Sequence, residues 1–240
     1  MALLLIGLDD TDTLESRGTG RLARQLAEDL LTGGPGEIKL LGVTRHQLLV
    51  DPRVPCTAHN SCLALLLDAP QALAGDAGLL AELFEHARVM MLADFIEGSD
   101  PGLCAAWETE ARTFSEFGRR AKRELVSQVE ALQLAGGAAA LLQGLGGTHD
   151  GVIGALAAVG LAADGSDGRY VQLGSLRALS GLQPVSNVLA AGVSEVQQLS
   201  GAPVASGMVQ CDRLRPARRG GRAVLVVERD GDSWLPLKLD

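Results

Sequence analysis

The chain has 240 residues, room for one large domain or two small ones with a sizeable core. Hydrophobic residues make up 47% of it and aromatics 3%, so the core must be built from Leu, Ala and Val. The formal net charge of −8 argues against strong binding of free nucleic acid by the chain alone, since such binding rests on phosphate neutralisation by Lys and Arg.

Two local basic runs stand against that total, Arg119 to Arg123 and Arg213 to Arg222, and the first falls on a helical pattern as a solvated face. The cysteines, Cys56, Cys62, Cys104 and Cys211, have no C-x-x-C spacing of a zinc site. The opening Leu3-Leu4-Leu5-Ile6 run is too short for a secretory signal, and no apolar stretch reaches the ~20 residues of a membrane helix. These features describe a cytoplasmic protein with reduced thiols and no membrane partner.

In chain order, the apolar run 2–8 reads as a buried strand that breaks at Asp9. Residues 20–32 carry Leu22, Ala23, Leu26, Ala27, Leu30 and Leu31 at helical spacing, and Gly33-Gly34-Pro35-Gly36 stops that helix. A second strand follows at 37–43, a polar loop at 51–60 and a third strand at 61–68. A helix is expected over 78–93, a turn over 98–102 and a fourth strand over 103–107. Residues 115–134 read as one amphipathic helix with Ala121, Leu125, Val129 and Leu132 as its apolar stripe, and 136–151 as a Gly- and Ala-rich loop. Gly151 to Gly160 is a small-residue helix able to pack closely, and 170–173 a strand. Strand-like runs at 204–210 and 223–228 and a turn at Asp230-Gly231 complete the chain. The fold class is α+β, an α/β-type sheet with flanking helices.

The chemistry concentrates in one turn. Asp9, Asp10 and Asp12 offer three carboxylates around Thr11, where a hard cation such as Mg²⁺ would relieve their repulsion. After Ser16-Arg17 come Gly18, Thr19, Gly20 and Arg21 at the start of the first helix, where backbone amides and the helix N-terminus favour a phosphate. Carboxylates for a metal and amides for a phosphate thus share one loop, which suits Mg-nucleotide chemistry. It is not a Walker loop. Asp9-x-Thr11 also reads as a variant of the haloacid-dehalogenase signature, and Asp residues in a turn also serve as caps.

Ile6-Gly7-Leu8-Asp9-Asp10-Thr11-Asp12 resembles the opening of the archaeal isoleucine-tRNA agmatinylcytidine synthetase family. Further blocks follow in the family's order: the proline loop Pro52 to Asn60, the turn Ser99-Asp100-Pro101-Gly102, the helix Gly151 to Gly160, and Arg169 to Arg177. The resemblance implies a kinase-like catalytic domain with a ferredoxin-like subdomain, and ATP and Mg as cofactors. Asp9, Asp10 and Asp12 match the acidic positions, and Thr19 matches a threonine at the catalytic centre. Thr11, Gly18, Gly20 and Arg21 fall to the nucleotide, and Arg53, Thr57, His59, Asn60, Gly151 and Gly154 to the substrate.

The departures are specific. The family's Met-Cys pair is missing before Thr19, its second threonine is Gly20, and Ala58-His59 replaces Arg-Gly in the proline loop. The oligonucleotide-binding barrel and zinc ribbon that follow in the family are not expected here. The expectation is a stand-alone homologue whose catalytic region spans 1–180, with a β-rich segment at 181–240. Its acceptor is a small molecule or an RNA delivered by a partner. A phosphohydrolase using the same turn, or a non-catalytic nucleotide-binding module, are the alternatives. No oligomeric state follows from the sequence.

Overall fold

The first strand, β1 (Ala2–Asp9), is buried from Ala2 to Leu8 because both of its faces are covered. The computed structural model describes residues 2–11, 18–33, 38–54 and 60–239. Within them β1 is followed by α1 (Thr19–Gly33), β2 (Lys39–Gln47), β3 (Ser61–Ala69), α2 (Ala77–Ala93) and β4 (Gly102–Trp107). These strands lie in the order β4-β1-β3-β2 with every neighbouring pair antiparallel, the split β-α-β arrangement.

Beyond β4 come α3 (Glu108–Ala111), α4 (Ser115–Ala121), α5 (Gln128–Gly136), β5 (Ala140–Gly144), α6 (Gly151–Asp164) and β6 (Arg169–Gln172). The remainder is β7 (Leu182–Pro184), α7 (Val185–Ala190), β8 (Glu195–Gln198), β9 (Met208–Gln210), β10 (Ala217–Arg219), β11 (Arg222–Asp230) and β12 (Ser233–Pro236). β5 extends the sheet beyond β4, and β6 extends it beyond β2 towards β10, β11, β12, β9 and β7, with β8 alongside β11. Strands before and after residue 180 therefore share one sheet. The result is α+β, a large sheet with flanking helices.

Alternation along β1 divides the core. Leu4, Ile6 and Leu8 face α1 and α2. Leu3 and Leu5 face the opposite layer, where α6 is packed. α6 runs unusually close to the sheet because glycines meet on both sides. A Cβ on Gly7 would fall 2.2 Å from the Ala155 carbonyl oxygen, and one on Gly102 would fall 2.0 Å from that of Gly151. A third core gathers Tyr170, Val188, Val209, Leu225 and Val227 in the C-terminal segment.

Two expectations fail. The helix expected over 115–134 is broken between Ala121 and Gln128. Ser127 caps α5 by accepting from the Glu130 N–H at 3.2 Å, a strong helix-start signal that outweighs continuation. Of the expected stripe Ala121 is core, while Leu125, Val129 and Leu132 are 46%, 61% and 46% exposed. The loop expected over 136–151 contains β5, an edge strand too short and too small in side chains to show alternation.

Buried polar groups in the α6 layer are joined in one network. His46 Nδ1 lies 2.9 Å from Asp167 Oδ1 and its Nε2 lies 2.8 Å from Thr44 Oγ1, while Lys122 reaches the other Asp167 oxygen. This ties the loop before β6 to β2 and to the end of α4.

Candidate active site

β1 ends where β4 begins, with Asp9 paired to Gly102, and β3 begins at the same end of the sheet, since Leu8 pairs with Leu63. The turn after β1 is therefore surrounded by the starts of β3, β4 and α6. Asp10 adopts a left-handed backbone, φ 49°, a conformation that Asp and Asn enter more readily than other side-chain-bearing residues. Its carbonyl accepts the Asp100 N–H at 3.1 Å, so the turn is pinned to the loop before β4.

Asp100 also organises the start of α6. Its carboxylate accepts the backbone N–H of Thr148 (3.1 Å), His149 (2.7 Å) and Asp150 (3.1 Å), and the Thr148 hydroxyl. Asp150 sits at the N-cap but makes no side-chain capping bond. The carboxylate that holds the turn leading into this helix comes from another loop, a role the sequence does not reveal.

Gly154, on the first turns of α6, lies directly against Asp9: a Cβ there would fall 1.6 Å from Asp9 Oδ2. A Cβ on Gly151 would fall 2.0 Å from the Asp100 carbonyl oxygen. The sequence reading gives both glycines to the substrate. The structure gives them a close approach that lets α6 abut the acidic turn.

Across the turn, Gly18 takes φ 80° and its carbonyl accepts the Arg21 N–H at 3.0 Å, starting α1. Thr19 is buried. Gly20 has no comparable constraint, since its Cβ would meet Arg24 at 3.6 Å, an ordinary contact. Thr11, Gly18 and Arg21 line a cleft of about 340 Å³ with Leu22, Gln25, Asp94 and Ile96. Thr11 is only 6% exposed, and its Oγ1 has no hydrogen-bond partner among the described residues. A buried hydroxyl left this way carries a desolvation penalty that a ligand oxygen would remove.

Gln25 is one turn beyond Arg21 on the same helix and was open to that inference. Asp94 and Ile96 arrive from the end of α2, and only the tertiary fold brings them here. Asp9 also acts on its neighbour Cys62, whose thiol is pushed up first by burial and then by the Asp9 charge.

The proline loop is less engaged. Arg53 pairs with Asp51 through Nε and Nη2, both at 2.8 Å, and is exposed. The Asn60 amide donates to the Leu49 carbonyl at 2.7 Å, holding the β2–β3 connection. Asp12, Thr57 and His59 lie outside the described residues. Among those described, no group of three metal-ligating side chains comes together. No helix among them is long and apolar enough to cross a membrane.

No protein-family model matches the chain, and no curated protein matches it. Solved structures do. One is the complex of TiaS with an isoleucine tRNA and ATP, at TM-score 0.55 and 24% identity, over 67% of this chain and 36% of that one. Apo TiaS, described as an isoleucine-tRNA agmatidine synthetase, matches at TM-score 0.54 and 23% identity, over 66% and 35%. A tRNA fluorescent labeling enzyme matches at TM-score 0.54 and 25% identity, over 66% and 36%. The synthetase resemblance read in the sequence is thus met by structures of that synthetase, and this chain carries their α+β fold, spanning about 36% of the TiaS length.

Proposed function

We propose that this chain is the catalytic part of an Mg-ATP-dependent enzyme of phosphoryl-transfer or ligase type, with the nucleotide in the cleft between the acidic turn and α1. The buried, unpartnered Thr11 hydroxyl on the wall of that cleft carries the reading. The ATP named in a TiaS complex of the same fold supports it.

In this reading Asp9 and Asp10 would hold Mg²⁺, which commonly takes one or two carboxylates together with phosphate oxygens. The metal would supply neutralisation of phosphate charge. The chain's own groups do the rest. The Thr11 hydroxyl donates to a phosphate oxygen, Arg21 balances negative charge, and the α1 N-terminus at Gly18 and Thr19 favours the anion. Leu22 and Ile96 offer apolar walls, and Gln25 and Asp94 offer polar groups to an amino-bearing base edge. Most of the catalysis in such chemistry is positioning and charge stabilisation, which a turn fixed by Asp100 and Gly154 can provide. The acceptor is a small molecule or a nucleotide of an RNA, by analogy with the tRNA and agmatine named in a TiaS complex.

Titration calorimetry with ATP and Mg²⁺ tests this. Binding is expected for the wild type and lost or strongly weakened in Asp10→Asn, which keeps the left-handed turn while deleting the charge. Absence of heat in the wild type would sink the reading. Turnover of simple phosphate esters without nucleotide would replace it with a phosphohydrolase.

A further inference from the structure

Among the described residues the sheet ends in two strands, and only one of them is protected. β7, at one end, is three residues long and closes on Pro184. Both features discourage the addition of another strand. β5, at the other end, reads Ala140-Leu141-Leu142-Gln143-Gly144, with no charge and no proline. Its outward groups follow from the register. The Leu145 N–H donates to the Pro101 carbonyl at 2.7 Å, and the next pair along is Gly144 with Gly102. Bonded and unbonded pairs alternate in an antiparallel ladder. Ala140, Leu142 and Gly144 therefore turn their N–H and C=O groups away from β4, towards the free edge.

Apolar side chains flank that edge on both faces. α5 packs on β5 and α6, and it is the outermost helix of its layer, because α4 lies towards β2, with the Leu49 N–H donating to the Ala121 carbonyl. Ala131 and Ala135 point into the core, and Glu130 turns towards Arg120 of α4. Val129 and Leu132 occupy the opposite flank of α5, beside the free edge, and both are exposed. On the other face α2 packs over β4, and the exposed Phe95 beyond it reaches the residues after β5: a Cβ on Gly146 would fall 2.4 Å from its ring. The charges beside these side chains are already paired within the chain, Glu130 with Arg120 and Glu85 with Arg88. An uncharged apolar surface of this kind is complementary to itself.

We infer that the β5 edge joins a second copy of this chain, by antiparallel pairing about a two-fold axis through Leu142. Leu142 then bonds the partner's Leu142, Ala140 bonds the partner's Gly144, and Gly144 bonds the partner's Ala140. Every outward N–H and C=O group of β5 is satisfied, since none of the three residues is a proline. Leu142 packs against its own equivalent, Leu141 stands across from the partner's Gln143, and no like charges are opposed. Val129 and Leu132 are covered by the partner's α5. A foreign extended strand would satisfy the edge but bring no helix to cover them, which favours the second copy. Each chain has one such edge, so assembly closes at the dimer. The inference stands apart from the nucleotide reading.

Sedimentation velocity over a concentration series up to about 100 µM is the first test. A dimer is expected, tightened by added salt because two chains of net charge −8 repel each other. The double variant Val129→Glu with Leu132→Glu changes two exposed side chains and is expected to raise the dissociation constant about tenfold or more. Leu199→Glu, an exposed leucine of the C-terminal segment, is expected to leave it unchanged. Disulfide formation reads the register. Leu142→Cys would face its own copy with Cα atoms about 5.5 Å apart and is expected to cross-link under mild oxidation. Gln143→Cys, exposed and diagonal to its copy at about 7–8 Å, is expected not to.

Dimerisation lost in the double variant, with cross-linking at position 142 but not at 143, supports the inference. A monomer at every concentration overturns it and leaves the edge to an extended segment of another protein. A dimer unaffected by the double variant, or weakened equally by Leu199→Glu, also overturns it. So do species that grow beyond the dimer, absence of a cross-link at position 142, or equal cross-linking at both positions.

Discussion

The Asp100 N–H donates to the Asp10 carbonyl at 3.1 Å, while the Asp100 carboxylate collects the N–H groups of three successive residues before α6. One residue therefore holds the acidic turn and the start of α6 in a fixed relation, and the geometry of the candidate metal site depends on it.

Asp100→Ala is expected to destabilise the protein. It leaves backbone donors of the turn before α6 without their acceptor, and hydrogen bonds to a charged acceptor contribute about 1.5–3 kcal/mol. Urea denaturation measures this. Asp100→Asn keeps one acceptor oxygen and should lose less. In both variants affinity for ATP with Mg²⁺ should fall with Asp9 and Asp10 intact. Unchanged affinity in a destabilised Asp100→Ala would confine the residue to stability.

Two glycines flanking the turn should respond oppositely to the same methyl group. Gly154→Ala would place a carbon 1.6 Å from Asp9 Oδ2, so the carboxylate or the helix must shift. A loss of stability of about 1–3 kcal/mol is expected, as for other overpacked sites, with loss of nucleotide binding. Gly20→Ala meets nothing closer than 3.6 Å inside a helix. It should stabilise by about 0.4–1 kcal/mol. Thermal unfolding of the pair is the comparison.

Thr11→Val separates binding from folding. The Oγ1 atom is buried and makes no hydrogen bond among the described residues. Its replacement by a methyl of similar shape should leave stability unchanged or raised by up to ~1–2 kcal/mol. Affinity for ATP should drop. A stability loss with unaltered affinity would mean that the hydroxyl serves the fold.

His46 should make stability fall on mild acidification. Burial lowers its pKa below the free value of 6.5, an effect that Asp167 only partly opposes. The unfolded chain then takes up a proton that the folded chain refuses. Stability is fully present above pH 6.5 and declines as pH falls below it towards the folded pKa. Asp167 is raised by burial, but the hydrogen bonds and charges of His46 and Lys122 outweigh this and hold it below its free value of 3.8. Its contribution is retained above that value and lost at lower pH. Urea midpoints measured from about pH 7.5 to about pH 5 should decline in the wild type, and His46→Gln should show a flatter profile from a lower starting point.

Much of the first half of the fold was legible because each element there carries a strong local signal. The β1 run is apolar throughout, the α1 stripe repeats every three to four residues, and the Gly33 to Gly36 stop is unambiguous. β5 was not legible, since Ala140-Leu141-Leu142-Gln143-Gly144 has neither alternation nor length. The break at Ser127 was visible as a capping residue but was overridden by an apparent stripe of which only Ala121 reaches the core. In the site, the acidic turn and the α1 start were read from contiguous residues. Asp94, Ile96 and Asp100 were not, because their roles come from chain segments that meet only after the sheet forms.

Every residue of α6 from Gly154 to Ala163 is buried, enclosed by the sheet on one side and by the helices after β4 on the other. Such a helix has no outward surface on which sequence drift is silent. It is also without a water-compatible face of its own, so its stability depends on the surroundings that enclose it. The acidic turn is therefore coupled to the packing of α6: Gly154 lies against Asp9, and a chain without α6 in place would carry the strand but not the finished site.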